Sequence, residues 1–415
     1  MQPPRLGPRP LPLHLSTALM TWASCESAWQ LWKRDSPRSS PGSTAPEALA
    51  EVVKEVAALE ARAGKGGFEQ ALHREIGRRM DRLAEGVLAY RHHPVHRTLQ
   101  DPAAVWREGS TRLLDYGLTS RAARKKGARA VLVVPSLINR WEVLDLNAEK
   151  SLLRAMAASG LRPYLVDWGT PDAEERRFDL SAYVARLERA VSYVGRRARR
   201  APAVMGYCMG GTLAVALAAR RPRKVAKLAL LAAPWDFHAD KTGHAFLLST
   251  GPLLAQMADK LGELPVDVLQ TLFWSLDPWL AMKKFGRFLG MDQQGDPARD
   301  FVLLEDWLNE GAPLAGPTAR DCLVGWYGDN LPGTGKWIVG GKPVVPRKIA
   351  TPALVMIPSS DRIVPPLSAA ALTDPRRGLK NATRLDVPLG HIGMVVSSRA
   401  RELCWMPLID WLGAR

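Results

Sequence analysis

Gly206-Tyr207-Cys208-Met209-Gly210-Gly211 places a cysteine between glycines two residues before and two residues after it. That spacing marks a strand that turns sharply into a helix and lifts the central side chain out of the sheet. Gly206 and Gly210 stand where a side chain would collide with the strained turn, and Gly211 lets the helix pack close to the strand. A thiolate attacks thioesters more readily than a hydroxyl does, and an acyl-cysteine stays at the thioester energy level, ready to pass its acyl group on. The pattern therefore predicts acyl transfer at Cys208 in preference to plain hydrolysis. An isolated cysteine is ordinarily a small buried hydrophobe. The small residues around this one set it apart.

An elbow cysteine needs a base to take its proton and donors to hold the developing oxyanion. Asp361 follows the apolar run Ala353 to Ile357, and His391 follows Thr383 to Val387 in Leu389-Gly390-His391-Ile392-Gly393. Nucleophile, acid and histidine thus occur in the order used by α/β-hydrolase triads, each just past the C-terminal end of a strand. Among eight histidines, His391 is the one placed after a late strand and before a terminal helix. A strand-end aspartate such as Asp361 often only caps the next helix, so its assignment leans on the other two. The backbone amide of Met209 is the expected first oxyanion donor, and Leu137, in Pro135-Ser136-Leu137-Ile138-Asn139, the expected second. Arg91-His92-His93-Pro94-Val95-His96 has no acidic or cysteine ligand nearby and reads as a surface turn, not a metal site.

Six short apolar runs must position these groups: Ala130 to Val134, Leu161 to Val166, Ala203 to Gly206, Leu228 to Ala232, Ala353 to Ile357 and Thr383 to Val387. Helical stretches such as Ser151 to Ser159 and Leu180 to Val194 lie between them, so the fold class is α/β, a mostly parallel sheet with helices on both faces. The rhythm breaks from about 237 to 347, an interval with Trp274, Trp279, Trp307, Trp326 and Trp337, which has the size of a helical cap over the site. Most of those tryptophans are expected to fill the cap's own core, with one or two lining an acyl pocket. Residues 1–45 read as a flexible Pro/Ser-rich lead and 46–120 as a helical subdomain. In the latter, Val52, Val53, Val56 and Leu59 share one helix face and Leu72, Ile76, Met80, Leu83 and Val87 another. The catalytic domain is then expected over 121–415.

A chain of 415 residues, 47% hydrophobic, is long enough for a large core. Cys25, Cys208, Cys322 and Cys404 are scattered, without a CxxC pair, as expected for reduced thiols in the cytoplasm. The interrupted apolar stretch after Pro12 argues against a secretory signal, Trp22-Ala23-Ser24-Cys25 lacks the aliphatic residue of a lipoprotein site, and no run of 18 apolar residues exists. The net charge of +16 gathers at Arg121 to Lys126 and at Arg196 to Arg200. Such clusters attract anions generally, but no helix-turn-helix, zinc-finger or RNP-like signature accompanies them, so nucleic acid is not an expected partner.

From Val131 to the C-terminus the chain resembles the polyhydroxyalkanoate synthases, particularly the shorter class III type. The blocks are Val134-Pro135-Ser136-Leu137-Ile138-Asn139 with Leu144-Asp145-Leu146, Val166-Asp167-Trp168-Gly169-Thr170-Pro171, the cysteine elbow, Asn330-Leu331-Pro332, Val339-Gly340-Gly341-Lys342-Pro343-Val344, Ser360-Asp361-Arg362-Ile363-Val364-Pro365, and Gly390-His391-Ile392-Gly393. The resemblance implies an α/β-hydrolase fold with a cap and polymerisation of 3-hydroxyacyl groups from their coenzyme A thioesters. Cys208 would carry the chain, His391 would activate the thiol, and Asp361 would help activate the incoming 3-hydroxyl or orient the histidine. It implies no metal or bound cofactor, a polymer granule as the cytoplasmic site of action, and either a homodimer or a second synthase subunit. The arginine clusters would then help capture the coenzyme A phosphates. Intracellular polyhydroxyalkanoate depolymerases share the layout, a thioesterase could use the same triad, and a non-catalytic granule-associated protein could keep the fold. The glycine pair after Met209 and the Asn139 and Leu144-Asp145-Leu146 block favour the synthase.

Overall fold

In the computed structural model, which describes residues 4–35, 47–64, 66–240 and 244–414, the six apolar runs become six parallel strands of one sheet. With a hairpin that precedes them, the strands are β1 (Ala104–Glu108), β2 (Thr111–Asp115), β3 (Arg129–Val134), β4 (Leu161–Asp167), β5 (Ala203–Tyr207), β6 (Lys227–Leu231), β7 (Ala353–Pro358) and β8 (Ala382–Val387). Their order across the sheet is β1-β2-β4-β3-β5-β6-β7-β8. The central strands are buried at nearly every position, which is why they read as continuous apolar runs and not as alternating ones. Register aligns their C-terminal ends: Val134 pairs with Gly206, Tyr207 with Leu231, and Pro358 with Val387. Whatever follows β5, β7 and β8 therefore leaves the sheet at one edge.

The chain divides into two compact units, 96–276 with 306–415, and 1–95 with 277–305. In the first, the sheet packs against α4 (Leu152–Ala158), α5 (Leu180–Ala198) and α6 (Met209–Arg220), whose Leu187, Val191, Leu213 and Leu217 are fully covered. Asp179 caps α5 through a 2.8 Å bond from the Ala182 amide, and Ser151 caps α4 through a 3.0 Å bond from Arg154. The hairpin β1–β2 belongs to this sheet, so the helical region ends near Val95 and not at 120. Gly109, at φ +55°, makes the tight turn between Glu108 and Thr111, which pair across it.

The second unit is helical. Leu11–Asp35 (α1) is a helix, not a flexible lead. Pro10 and Pro12 sit at its start, where a missing N–H costs nothing, and no proline follows until Pro37. Ser16 and Thr17, which interrupt the apolar stretch, turn their hydroxyls back onto the Leu13 carbonyl at 3.1 and 2.7 Å. The rest of that lead, 36–45, lies outside the described residues. The helices α2 (Glu47–Ala63) and α3 (Gly67–His92) follow, and Leu83, Val87 and Tyr90 of α3 share a core with Trp22, Phe285 and Phe288. His93 is buried and not a surface-turn residue: its ring bonds the Gln293 carbonyl at 2.9 Å and accepts from the Val95 amide at 3.3 Å.

Between β6 and β7 the chain adds no strand to the main sheet among the described residues. It holds α7 (His244–Leu261), α8 (Val266–Trp274), α9 (Leu280–Leu289), α10 (Asp296–Asn309) and a π-helical stretch, Asp321–Gly328. Residues 277–305 of this interval belong to the helical unit. Trp326 and Trp337 pack edge-on at 5.2 Å in the core of the sheet-bearing unit, Trp307 is buried there, and Trp279 is exposed.

Candidate active site

Cys208 sits between β5 and α6 at φ 55°, ψ −132°, a left-handed backbone that a non-glycine residue adopts only under constraint. Two bonds hold it there: its amide donates to Leu231 O at 2.9 Å, and its carbonyl accepts from the Gly211 amide at 2.8 Å. The glycines are explained by what a methyl group would meet. At Gly206 it would stand 2.4 Å from the Gly211 Cα, at Gly210 2.1 Å from the Val134 carbonyl oxygen, and at Gly211 2.4 Å from the Ala233 Cβ. Gly210 thus serves close approach to the end of β3, and Gly211 admits the residues that follow β6.

Asp361 and His391 meet as the spacing predicts. His391 Nδ1 donates to Asp361 Oδ2 at 2.6 Å, while Asp361 Oδ1 accepts from the amides of Ile363 and Val364 at 2.8 and 2.9 Å. Both side chains are buried. The two amides fix the carboxylate in the turn after β7, so Asp361 both caps that turn and orients the imidazole. The Cys208 thiol is a hydrogen-bonding neighbour of the same ring. Burial works against a charged imidazole, but the Cys208 thiolate and the Asp361 carboxylate outweigh it, raising His391 to about 10. The ring beside the Cys208 sulfur is therefore placed to exchange a proton with it.

Met209 is the first residue of α6, so helix geometry leaves its amide without an intrahelical partner. The loop carrying Leu137 runs beside the elbow, since Pro135 O would lie 2.5 Å from a methyl on Gly210. Trp168, at the end of β4, secures that loop by donating from Nε1 to Pro135 O at 3.1 Å. A small pocket lined by Ser136, Leu137, Asn139, Trp141, Trp168 and Ala312 opens alongside.

Three residues escaped the sequence reading. The Tyr207 hydroxyl, buried just ahead of the nucleophile, donates to the His391 carbonyl at 3.1 Å, and burial first, then the Cys208 charge, keeps it protonated. The Tyr327 phenol, on the π-helical stretch, is likewise held protonated by burial and by the nearby Cys208 charge. Trp168 is the third. Tyr207 and Trp168 stood in the quoted motifs, but nothing in their spacing names a partner. Asp145 turns out to be a structural anchor, accepting from Tyr116, Arg154 and Arg97 at 2.9, 2.8 and 3.1 Å. Asn330, at φ 49°, binds the Phe237 amide and Asp236 at 3.0 and 2.7 Å.

The arginine clusters do not join this site. Arg121 to Lys126 precedes β3 and Arg196 to Arg200 precedes β5, whereas Cys208 follows β5. In a parallel sheet those positions are opposite edges, so the clusters stand away from any thioester at Cys208.

Residues 129–397 match the family described as alpha/beta hydrolase fold. A poly(3-hydroxyalkanoate) polymerase subunit PhaC from Allochromatium vinosum is 30% identical over 293 residues, covering 69% of this chain and 81% of that protein. The subunit of the same name from Synechocystis sp. is 30% identical over 295 residues, 69% of this chain and 78% of that protein. That from Haloferax mediterranei is 30% identical over 318 residues, 75% of this chain and 63% of that protein. Elbow, triad geometry and these likenesses agree: the chain is a member of the poly(3-hydroxyalkanoate) polymerase family, on the alpha/beta hydrolase fold.

Proposed function

We propose that the protein polymerises 3-hydroxyacyl groups taken from 3-hydroxyacyl-coenzyme A, through a covalent acyl group on Cys208, with release of coenzyme A. The observation that carries this reading is the elbow cysteine beside a buried imidazole whose Nδ1 is tied to Asp361 at 2.6 Å. The Cys208 thiolate attacks the thioester carbonyl, and the amides of Met209 and Leu137 receive the oxyanion. As the carbon–sulfur bond to coenzyme A breaks, His391 gives its proton to the leaving thiolate. His391, now neutral, takes the proton of the next 3-hydroxyl as that oxygen attacks the acyl-cysteine, forming an ester and returning the Cys208 thiolate. The first exchange is between thioesters; the second turns a thioester into an ester and drives elongation. Asp361 holds the imidazole orientation throughout. This chemistry draws on no metal or bound cofactor, and it places the protein at its own polymer granule, alone or with a second synthase subunit.

The test is coenzyme A release from 3-hydroxybutyryl-coenzyme A by the purified chain, wild type beside Cys208→Ala, with the product assayed as polymer or free acid. Release with polymer, lost by on the order of 10³-fold or more in the variant, is the expected result. Free 3-hydroxybutyrate alone would replace the reading with a thioesterase. Polymer synthesis undiminished in Cys208→Ala would end the covalent mechanism.

A further inference from the structure

Strands β3, β5, β6, β7 and β8 are consecutive neighbours and all run parallel, so the five connections that enter them emerge together at the N-terminal edge of the sheet. Those connections are residues 121–129, 195–202, 222–227, 346–352 and 374–381, and every one is basic. Asp374 is the one acid among them, and its carboxylate is occupied by the amides of Arg376 and Arg377, both at 2.8 Å. Lys126, Arg197, Arg200, Arg223, Lys348 and Lys380 are exposed. Among the described residues, no lysine or arginine of these connections forms an ion pair. Arg200 donates to the Gly127 carbonyl at 2.6 Å, and Lys227 to the carbonyls of Trp411 and Ala414 at 2.8 and 2.7 Å. The cations press on one another: burial, then Arg200, lowers Arg129, and burial, then Arg129, lowers Lys227.

Unpaired like charges gathered on one edge repel and cost stability, and an anion laid across them removes that cost. We propose that this edge is a sequence-independent docking surface for double-stranded nucleic acid. Five adjacent strands about 4.8 Å apart spread the cations over roughly 19 Å, far more than a free phosphate spans. A duplex presents one charge per ~1.7 Å along its axis. None of the exposed large apolar side chains lies in these connections, so the edge lacks the residues that anchor proteins in a bilayer. The connections themselves carry no aromatic side chain for stacking, the neighbouring Trp411 ring is covered by Lys227 Nζ at 4.9 Å, and the Asn381 amide is spent on the Ala350 carbonyl at 2.8 Å, so recognition is of backbone and not of bases. The absence of a nucleic-acid motif, which set this partner aside at the sequence level, does not bear on backbone binding, which requires only placed cations.

The test is fluorescence anisotropy of a labelled, random-sequence DNA duplex titrated with the full chain over a range of salt. The wild type is compared with Lys126→Gln/Arg197→Gln/Arg200→Gln/Arg223→Gln and with a control of equal charge loss, Lys54→Gln/Arg62→Gln/Arg74→Gln/Lys336→Gln. Coenzyme A release is measured in all three, and phosphatidylglycerol vesicles serve as a second anionic probe. The expected result is duplex binding weakened at least ~10-fold in the edge variant, with a salt slope shallower by about 3 to 4, since each lost phosphate contact removes ~0.9. The control should change less than ~2-fold and coenzyme A release should be unaltered. Equal weakening by the control would reduce the effect to net charge and overturn the proposal. So would vesicle binding that depends on the same four residues without any duplex binding.

Discussion

The two edges of one sheet carry opposite chemistry. At the C-terminal edge charge is paired and buried: Asp361 is spent on two amides and an imidazole, and Asp167, at the end of β4, is spent on Arg112 at 2.8 Å and on the Gly169 amide at 3.1 Å. At the N-terminal edge the exposed charge is basic apart from Asp374, and Arg200 and Lys227 have backbone carbonyls as partners. The difference follows from what each edge does. A site that moves a proton between two side chains needs them immobile and shielded, because a misplaced donor costs orders of magnitude in rate. A surface that holds a polyanion needs its cations in water and unspent.

The sharpest way to break this contrast is at the reactive edge. Cys208→Ala should lose coenzyme A release by on the order of 10³-fold or more while leaving duplex binding intact. Asp361→Asn should cost ~10²- to 10⁴-fold in kcat, because Oδ1 keeps its amides but the imidazole loses its oriented acceptor. A loss under about tenfold would reduce Asp361 to a turn cap. Gly210→Ala probes the scaffold: a methyl 2.1 Å from the Val134 carbonyl must push α6 off β3. A destabilisation of roughly 1 to 3 kcal/mol by denaturant unfolding is expected, along with lost activity. An unchanged midpoint would mean that the elbow yields more easily than its geometry implies.

A pH titration sharpens the pairing. The folded protein holds His391 up at about 10, above its ordinary 6.5, so the protonated ring contributes stability fully below about 6.5 and loses it as pH rises through about 10. Thermal unfolding across that window should show Tm declining in the wild type and a weaker decline in Cys208→Ala, which lacks the thiolate that raises His391. Parallel curves would assign the elevation to Asp361. The smallest effect belongs to Tyr207→Phe. Losing one bond to the His391 carbonyl, worth about 1 kcal/mol, should lower kcat some fivefold and leave KM in place. A change in KM alone would make Tyr207 a packing residue.

Much of this was legible in the chain. The six strands begin and end within one or two residues of the runs that marked them; for β3 to β7 the reason is burial on both faces, which demands unbroken hydrophobicity, whereas β8, at the sheet edge, is largely exposed and carries Arg384 and Asp386. Glycines at 206, 210 and 211 announced the elbow, since close backbone approach admits no other residue. The hairpin β1–β2 was overlooked because its strands are five residues each and follow a helical region in the chain. Helix α1 was overlooked because polar interruptions and prolines at its start resemble a lead, whereas Ser16 and Thr17 satisfy themselves on the preceding turn.

Residue types and local spacing thus determined the cysteine elbow, the order of Asp361 and His391 after it along the chain and the parallel sheet that carries them, because those depend on backbone sterics and on short-range burial. Tertiary structure alone decided which groups meet. It placed Tyr207 on the His391 carbonyl and Trp168 on the Pro135 carbonyl, and it gathered basic segments more than 200 residues apart in the chain onto one edge, away from the thiol. Such meetings depend on strand order and crossover direction, and neither can be read from the residues that end up as neighbours.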